Sequence, residues 1–383
     1  MTAQVTKIVG PIRDYAWGTT GGISRVLGAP DTDAVEAELW LGAHPSAPSR
    51  AAEDGSAWAD LAEWEASGAG RVPYLMKVLS AASPLSLQAH PTPDQAAEGF
   101  ERENAAGIPL DARERNYKDP FAKPELIVAL EDGYEALCGF RPLAQTRALA
   151  DALAGASGAA DVFAPWQQRL AGEDGVRAAF EWLLGGGRDV ADLVSAVVEV
   201  AAGSATYELA DRLAQAYPGD PGIVVALMLN HVTLAAGESL WLPAGNIHAY
   251  LRGTGMELMG PSDNVLRGGL TPKHVDIAEL SRVLDFSDGE PPYLVPIEVS
   301  ENVRTYRPRT LPTGREVPFE LLEISGDAAI STGSPSIALV VDGALTLTVG
   351  GADVEVARGE AVFVADAAQL TWQGRGRAFV ATA

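Results

Sequence analysis

Cysteine is almost absent from this chain: Cys138 is the single cysteine among 383 residues. One thiol cannot form an internal disulfide, and thiolate zinc sites, which need several cysteines, are excluded as well. The N-terminus shows no basic head followed by an apolar run, and no later apolar stretch reaches the length of a membrane span. We therefore expect a soluble, cytoplasmic protein.

Basic residues are also scarce. Lys and Arg together number 28 against 51 Asp and Glu, which gives a formal net charge of −23. An acidic surface of this kind repels nucleic acid and anionic membranes, so neither is expected as a partner. The same negative charge repels a phosphorylated ligand. A binding site for such a ligand therefore needs lysines or arginines close to it. Lysines and arginines close to motifs are therefore candidates for such a site.

Histidine is the third scarce residue, with five copies at positions 44, 90, 231, 248 and 274. None lies after residue 291, where short strand-like segments such as Ile337–Val341 and Ala361–Ala365 alternate with Gly and Asp turns. This pattern predicts a jelly-roll β domain, which cannot build a His-based metal site. We expect that domain to be structural and to pack on the motif-bearing part of the chain.

The length of 383 residues exceeds the usual size of one core, so two or three domains are expected. A strand-like pattern covers residues 72–91. Over 143–217 the apolar residues recur every three or four positions, which predicts a helical insert that ends in the breaker cluster at 218–222. Strand-like patterns resume at 223–234 and 238–251, so strands from both sides of the insert are expected to share one barrel.

Side chains that can ligate a metal occur in three motifs. LQAHP holds Gln88 and His90, which share one strand face at i and i+2. Glu125 follows in KPE, and His248 ends GESLWLPAGNIH, where the glycines and Pro243 shape a turn that delivers the histidine to a barrel interior. Each residue by itself is more often a satisfied polar group than a ligand. Together, two imidazoles, one carboxylate and one amide leave about one uncompensated positive charge on a Zn²⁺ ion and an open position.

The spacing of Gly, Pro and His at 237–248 is that of the second metal-binding motif of cupin barrels. Together with LQAHP at 87–91, YKDPFAKPE at 117–125 and the basic, acid-bearing segment at 248–273, this motif makes the chain resemble the zinc-dependent type I mannose-6-phosphate isomerases over about residues 10–284. The resemblance implies one Zn²⁺ per chain with the ligands Gln88, His90, Glu125 and His248. Iron, cobalt or manganese also suit this set of nitrogen and oxygen ligands.

The resemblance and the patterns together predict a mainly β protein with an α-helical insert. Its sheets are expected to form two cupin-like jelly-roll β-barrels, of which the C-terminal one has no metal ligands. The predicted catalytic barrel consists of two parts, residues 1–142 and 223–290. The predicted helical insert covers residues 143–222, and the predicted C-terminal jelly roll covers residues 291–383. The position of the insert between motif-bearing strands suggests the hypothesis that it is a lid over the barrel mouth.

Interconversion of an aldose and a ketose moves a proton between C1 and C2 through an enediolate, and requires an electrophile, a proton carrier and a cation for any phosphate. The resemblance implies the reversible isomerisation of mannose 6-phosphate and fructose 6-phosphate, which would feed activated-sugar synthesis or glycolysis. It assigns Arg267 to the oxyanion or the polar end of the substrate, and Asp263 and Lys123 to proton transfer. Lys77 is a third candidate. A lysine near Zn²⁺ and Arg267 is expected to have a lowered pKa and to act as a neutral amine.

Phosphate contacts are predicted for Ser86, on the strand face of Gln88, and for the point charges of Lys77 and Lys273. Lys273 is as readily a solvated turn lysine, because lysine is usually exposed. No Walker-type loop or Rossmann fingerprint precedes a helix, so side chains are expected to hold the phosphate.

The chain departs from the family at Phe121 and Ala122, where Asn-His is common before K-P-E. A mechanism that needs that histidine cannot operate here, and Lys123 is a candidate for its part. Gln88 takes the place of the first histidine of the cupin His-x-His motif, and Arg252 that of an asparagine in the second motif. His44, in E-x-W-x-G-x-H-P, is interpreted as a turn or core residue rather than a catalytic one.

Three alternatives remain open at this stage. The chain could isomerise another aldose or aldose phosphate, since changing one hydroxyl involves few contacts. It could be a non-catalytic, sugar-binding cupin, although such a protein has no evident need for a proton carrier beside the metal. A metal oxygenase would usually need more histidine ligands. The expected partner is a small phosphosugar, and the expected assembly is a monomer or a weak homo-oligomer.

Overall fold

A computed structural model of the chain describes residues 5–53, 55–308, 317–333, 335–366 and 368–383. The described residues form two ten-stranded antiparallel sheets, one two-stranded sheet and ten α-helices, which confirms the prediction of a mainly β protein with helices. The strands are β1 (Val5–Val9), β2 (Ile12–Arg13), β3 (Thr19–Thr20), β4 (Val35–Glu36), β5 (Glu38–Leu41), β6 (Arg50–Ala51), β7 (Leu75–Ala81), β8 (Gln88–Ala89), β9 (Glu125–Ala129), β10 (Tyr134–Phe140), β11 (Leu229–Leu234), β12 (Ser239–Leu242), β13 (His248–Met259), β14 (Leu266–Arg267), β15 (Ile297–Ser300), β16 (Val303–Tyr306), β17 (Glu320–Ser325), β18 (Ala328–Thr332), β19 (Ser336–Val349), β20 (Ala352–Ala357), β21 (Ala361–Val364) and β22 (Ala368–Thr382).

The helices are α1 (Gly22–Leu27), α2 (Leu61–Ala66), α3 (Pro93–Ala105), α4 (Leu143–Ala156), α5 (Ala164–Leu170), α6 (Gly175–Gly185), α7 (Arg188–Ala201), α8 (Glu208–Ala216), α9 (Gly222–Ala226) and α10 (Ile277–Val283). Short 3₁₀ turns lie at Ala160–Phe163 and Ala205–Tyr207. Among the described helices, none combines the length and the hydrophobicity that a membrane crossing requires.

The first large sheet, named here the site sheet, runs in the order β11-β10-β13-β7-β5-β2, with β8, β9, β12 and β14 attached. Its long strand β13 pairs with β10 near its start and with β7 and β9 near its end. The short strand β8 lies between β13 and β14, so Gln88 is opposite both His248 and Arg267. Glu125 begins β9, opposite Met259 of β13. This pairing gathers motifs that are far apart in the sequence.

The second large sheet, named here the C-terminal sheet, runs in the order β15-β16-β17-β22-β19-β21-β1-β6, with β18 and β20 attached. Strand β1 pairs with β21, from Val5 opposite Val364 to Ile8 opposite Ala361. Strand β1 therefore belongs to the C-terminal sheet, and the predicted assignment of residues 1–142 to one barrel does not match the sheet boundary. Pairing between chain ends is a long-range event that local strand patterns do not reveal.

The helices α4 to α9 lie between β10 and β11 in the chain. Their buried apolar residues, including Leu193 and Val197 of α7, form one core with Phe140 of β10 and with Ile247 before β13. The predicted helical segment 143–217 is thus confirmed. Because this core is shared with the site sheet, the insert is packed against the strands that carry the motifs.

Two predicted strands are only partly formed. The segment 223–234 begins as α9 and becomes a strand only in β11, and the segment 72–91 holds β7 and β8 with irregular chain between them. The run Ile223–Ala226 is buried on all sides, and periodicity cannot distinguish a buried strand from a buried helix in such a run.

A capped helix fixes the chain just after His90. The Thr92 side chain accepts a hydrogen bond from the Gln95 backbone, and the Gln95 side chain accepts one from the Thr92 backbone, which together form a capping box at the start of α3. The main-chain oxygen of His90 accepts from the Gly245 N–H at 2.9 Å. The backbone of His90 is therefore held on both sides.

Candidate metal centre and active site

Three buried side chains meet inside the site sheet: His90 after β8, Glu125 at the start of β9 and His248 at the start of β13. Their ligating atoms all lie within 4.8 Å of one another. Glu125 lies between the two rings, with Oε1 3.3 Å from His90 Nε2 and Oε2 3.1 Å from His248 Nε2. The amide nitrogen of Gln88 is 3.4 Å from His248 Nε2, so a rotation of the amide turns its oxygen toward the same point.

The orientation of these groups fits a metal ion. His90 Nδ1 donates to the main-chain oxygen of Asn264 at 2.7 Å, and His248 Nδ1 donates to that of Asn246 at 3.1 Å. Each ring therefore turns the lone pair of Nε2 toward the cluster, as metal-binding imidazoles do. In the described part of the chain, the buried atoms His90 Nε2 and Glu125 Oε2 have no hydrogen-bond partner of good geometry.

The protonation states also suit a metal. Burial lowers the pKa of His90 to about 4, so its ring is neutral at pH 7. Burial by itself would raise the pKa of Glu125. The positive charge of Lys123 is the largest of the effects that oppose burial, and this pKa lies well below its usual value. Lys123 Nζ is 3.1 Å from Glu125 Oε1. Neutral imidazole and ionised carboxylate are the forms that bind a metal, and Zn²⁺ accepts such nitrogen and oxygen donors.

A cavity of about 520 Å³ opens beside this cluster. It brings together seven of the ten residues predicted for the site, and the other three are the buried cluster itself. The seven that line the cavity are Lys77, Ser86, Gln88, Lys123, Asp263, Arg267 and Lys273. Such a cavity, with charged groups beside a potential metal site, is typical of an enzyme that acts on a small polar molecule.

Asp263 lies at the cavity wall with His44 as its partner. His44 Nε2 is 3.4 Å from Asp263 Oδ1, and His44 Nδ1 is 2.9 Å from Ser46 Oγ. The pKa of Asp263 is lowered, chiefly by the hydrogen bond from His44, so the carboxylate is ionised at neutral pH. The Asp263 backbone donates to Asp119 Oδ2 at 2.9 Å, which fixes the loop. The interpretation of His44 as a turn or core residue missed this contact, although the E-x-W-x-G-x-H-P motif signalled it.

Arg267 and Lys273 form a pair of cations at the cavity wall. Burial lowers the pKa of Arg267. Burial, followed by the charge of Arg267, lowers that of Lys273. Among the described residues, no carboxylate forms a salt bridge with either side chain. Two cations that lack an acidic partner can attract an anionic group of a ligand.

Lys77 has a different environment from the one predicted. Its Nζ lies 3.1 Å from Glu257 Oε2 and 3.4 Å from Glu38 Oε1, in a fully buried setting. Burial by itself would lower the pKa of Lys77. The charges of Glu257 and then Glu38 raise this pKa by more than burial lowers it, so it lies above its usual value. The expectation of a lowered pKa is therefore wrong for Lys77, because two carboxylates outweigh desolvation. This lysine stays charged at neutral pH.

Neither of the two carboxylates that pair with Lys77 was predicted from the sequence. Their strands flank β7: Trp40 of β5 and Glu257 of β13 are both opposite Lys77 in the sheet. Glu38 also accepts a hydrogen bond from Trp40 Nε1 at 2.7 Å. Each glutamate lies in an apolar strand, in AELWL and GMELM, and a charge in such a run was the available signal.

The loop before Lys123 is fastened without the histidine that is common in the family. The main-chain oxygen of Phe121 accepts from Asn264 Nδ2 at 2.9 Å and from Ser262 Oγ at 3.1 Å. Its exposed ring lies 4.6 Å from the Arg71 guanidinium. Main-chain contacts at Phe121 thus join the segment of Lys123 to the segment of Asp263.

The chain is similar to known proteins over nearly all of its length. The family model described as phosphomannose isomerase type I, catalytic domain, matches residues 5–143. The mannose-6-phosphate isomerase of Escherichia coli is 35% identical over 391 aligned residues, which cover 97% of each chain. That of Arabidopsis thaliana, mannose-6-phosphate isomerase 1, is 32% identical and covers 92% of this chain and 87% of its own length.

Solved structures agree with these relatives. A zinc-bound mannose 6-phosphate isomerase superposes with a TM-score of 0.86 at 31% identity and covers 99% of both chains. The apo form of the Salmonella typhimurium enzyme superposes with a TM-score of 0.83 at 31% identity, again over 99% of both chains. The chain belongs to the type I phosphomannose isomerase family.

Proposed function

We propose that this chain catalyses the reversible isomerisation of mannose 6-phosphate and fructose 6-phosphate. The observation that supports this proposal is a buried His-Glu-His cluster with unpaired nitrogen and oxygen atoms. It adjoins a cavity that holds an ionised carboxylate and two cations for which the described residues provide no carboxylate partner. These are the groups that an enediolate mechanism needs for its electrophile, its base and its phosphate contact.

The metal site of this proposal consists of Gln88, His90, Glu125 and His248, with one Zn²⁺ per chain. When bound, the ion would supply Lewis-acid polarisation of sugar oxygens. Gln88 contributes a neutral donor at the edge of the cavity, while the other three side chains are buried. Their main-chain hydrogen bonds hold the rings in place, so the donor set is preorganised.

Asp263 is the proposed base that removes the proton from C2 of the aldose or from C1 of the ketose. Its side chain is 53% exposed and its partner His44 keeps it ionised, so it can both reach the sugar and exchange protons with water. Lys123, which lies 3.1 Å from Glu125 and lines the cavity, is placed to donate a hydrogen bond to the reacting oxygens. Lys77 is excluded as a neutral base because its two carboxylates keep it charged.

Arg267 and Lys273 are the proposed contacts for the anionic end of the substrate, with Ser86 as a hydroxyl donor in the same cavity. A guanidinium and an ammonium without an acidic partner gain most from a phosphate. Lys77 contributes little free charge to such a contact, since Glu38 and Glu257 neutralise it. We therefore assign Lys77 to ordering the cavity wall instead of binding phosphate.

The finer architecture is part of the same proposal. The site sheet and the C-terminal sheet would each form a cupin-like jelly roll. The boundaries between the catalytic barrel, the insert and the C-terminal jelly roll would lie at residues 143, 223 and 291, except that β1 and β6 belong to the C-terminal sheet. The scarcity of cysteine supports a cytoplasmic location, and the acidic net charge supports the absence of nucleic acid and membrane partners. A monomer or a weak homo-oligomer is the proposed assembly.

The test is a coupled assay of mannose 6-phosphate conversion on the purified protein, before chelation, after chelation and after addition of Zn²⁺. We expect activity to disappear with the metal and to return with zinc. Glu125→Ala should be inactive, while the matched variant Glu131→Ala, in an exposed position, should retain activity. A folded, zinc-loaded protein without turnover would contradict the proposal and direct attention to other aldoses or to a binding role.

A further inference from the structure

The segment that ends the helical insert reaches across to the cavity. Asp220 Oδ1 accepts hydrogen bonds from the backbone N–H groups of Gly222 at 2.7 Å and Leu270 at 3.0 Å, and Oδ2 accepts from that of Thr271 at 3.1 Å. One carboxylate thus binds its own turn and a loop 50 residues further along the chain. That loop runs from Arg267 to Lys273.

The bound loop has an unusual backbone. Leu270, with φ of 53°, is the one residue other than glycine that has a positive φ among the described residues. This left-handed region is unfavourable for leucine, and it persists only where the surroundings impose it. The backbones also touch, because a Cβ built on Gly269 would lie 2.7 Å from the Gly222 Cα. Asp220 and the glycine contact together impose the conformation.

The same end of the insert also contacts the segment that carries Ser86. The Tyr217 hydroxyl donates to the main-chain oxygen of Pro84 at 2.7 Å, two residues before Ser86. Tyr217 itself lines the cavity, as do Leu270 and Thr271. The insert is therefore attached to both loops that carry the candidate phosphate contacts.

We propose that Asp220 and Tyr217 are positioning residues that hold Ser86, Arg267 and Lys273 at the separation that a phosphate group requires. That the phosphate belongs to a sugar rests on the proposed function. That these residues position a site for an anion does not depend on it. Two neighbouring cations repel one another and would move apart if their backbone were free. The Asp220 carboxylate fixes that backbone through two hydrogen bonds, from the N–H groups of Leu270 and Thr271, so the insert holds the phosphate end of the cavity in place.

The proposal is tested with Asp220→Asn and Tyr217→Phe in the full-length, zinc-loaded protein. Asp220→Asn keeps one oxygen but presents an amide N–H to the Thr271 N–H, and Tyr217→Phe removes only the hydroxyl. Asp151→Asn is the matched control, because the Asp151 carboxylate bonds to Gln167 Nε2 at 2.7 Å within the insert. The measurements are the Kd of inorganic phosphate by calorimetry, KM and kcat for mannose 6-phosphate, and the zinc content.

We expect each variant to weaken phosphate binding and to raise KM by about fivefold to tenfold, the scale of one lost hydrogen bond near charged groups. The kcat and the zinc content should change by less than about twofold, and the control should match the wild type. Restoring the carboxylate one bond further out, in Asp220→Glu, should recover part of the phosphate affinity.

An unchanged phosphate Kd in both folded variants would overturn the positioning role, as would a wild type that does not bind phosphate. A parallel fall of kcat, phosphate affinity and zinc content would also overturn it, since that pattern indicates general disruption. If Asp220→Asn does not fold, Tyr217→Phe decides the question. The wild type could bind phosphate without isomerising mannose 6-phosphate, while the variants lose phosphate binding. That result would refute the proposed function but support the positioning role of Asp220 and Tyr217.

Discussion

The site sheet and the C-terminal sheet contain ten antiparallel strands each, but they bury different side chains. The site sheet buries two histidines, a lysine and several glutamates, which include Glu125 and Glu257. The C-terminal sheet encloses an almost entirely apolar core around Trp372. Among the described residues of this sheet, Glu323 is a buried carboxylate, and Arg304, Arg377 and the Tyr306 hydroxyl surround it.

The difference shows how to distinguish a functional buried charge from a structural one. The partners of Glu323 satisfy its carboxylate, and Glu323 does not line the cavity that holds the candidate site. In the site sheet, Glu125 and His90 keep unpaired atoms and lie next to a cavity. An enzyme retains such unsatisfied groups because a ligand completes them, although they cost stability in its absence. The following predictions test this contrast, in order of decreasing effect.

The largest effect is expected from Glu125→Gln. An amide cannot supply the negative charge that balances the metal, so we expect loss of bound zinc and a fall of kcat by at least about 100-fold. This fall exceeds the roughly 10–100-fold loss that follows when a residue hydrogen-bonded to a metal ligand is removed. Zinc content and the coupled assay measure both. Retention of zinc with normal turnover would remove Glu125 from the metal site.

Glu323→Ala should have the opposite profile. It leaves Arg304 and Arg377 without their carboxylate, and we expect the free energy of unfolding to fall by about 1–3 kcal/mol, since both arginines remain partly exposed to water. Chemical denaturation measures the loss, and kcat should stay at the wild-type value. A large fall in kcat without a change in stability would break the contrast between the two sheets.

His44→Ala is expected to lower kcat by about tenfold, because the base Asp263 loses its orienting partner. The ionised form of Asp263 is the active one, and the pKa of this carboxylate is lowered by the His44 hydrogen bond. Without His44 the pKa of Asp263 rises toward its usual value. When the pH is lowered, the variant should therefore lose activity at a higher pH than the wild type does.

The pH profile of kcat/KM provides the measurement for His44→Ala. His231→Ala is the control, since His231 lies 3.4 Å from Glu135 and does not line the cavity. An acid limb that does not move in His44→Ala would refute the role of Asp263 as base.

The smallest effect concerns the strand that joins the chain ends. Lys7 of β1 forms a 2.8 Å salt bridge with Glu360, and both side chains are partly exposed. Exposed pairs of this kind contribute about 0.2–1 kcal/mol, so Lys7→Ala should lower the free energy of unfolding by no more than that amount. Thermal or chemical denaturation measures the change, and salt should reduce it. A loss of several kcal/mol would mean that this pair, rather than strand pairing, attaches β1.

Much of the fold follows from local patterns in the sequence. The periodicity at 143–217 predicted the helical insert, and Gly, Pro and His at 237–248 predicted the turn before β13. The attachment of β1 to the C-terminal sheet could not be predicted, because the pairing of Val5 with Val364 depends on contacts between chain ends. The run Ile223–Ala226 was also ambiguous, since a fully buried segment lacks periodicity.

The site shows the same division. Motifs indicated Gln88, His90, Glu125 and His248, and the structure brings these side chains together. The pKa of Lys77 was predicted with the wrong sign, because its two carboxylates come from neighbouring strands whose register is a tertiary property. Contacts across strands and loops decide such environments, and single motifs do not encode them.

The most direct test of the account is isomerisation in deuterium oxide, followed by nuclear magnetic resonance of the sugar phosphates. With zinc-loaded protein and mannose 6-phosphate, we expect fructose 6-phosphate that carries deuterium at C1, because the partly exposed Asp263 exchanges its proton with solvent during turnover. Chelated protein should form neither the product nor the label. Absence of fructose 6-phosphate would contradict isomerisation at this site, and complete conversion with no deuterium at any stage would contradict proton transfer by a solvent-exchanging Asp263.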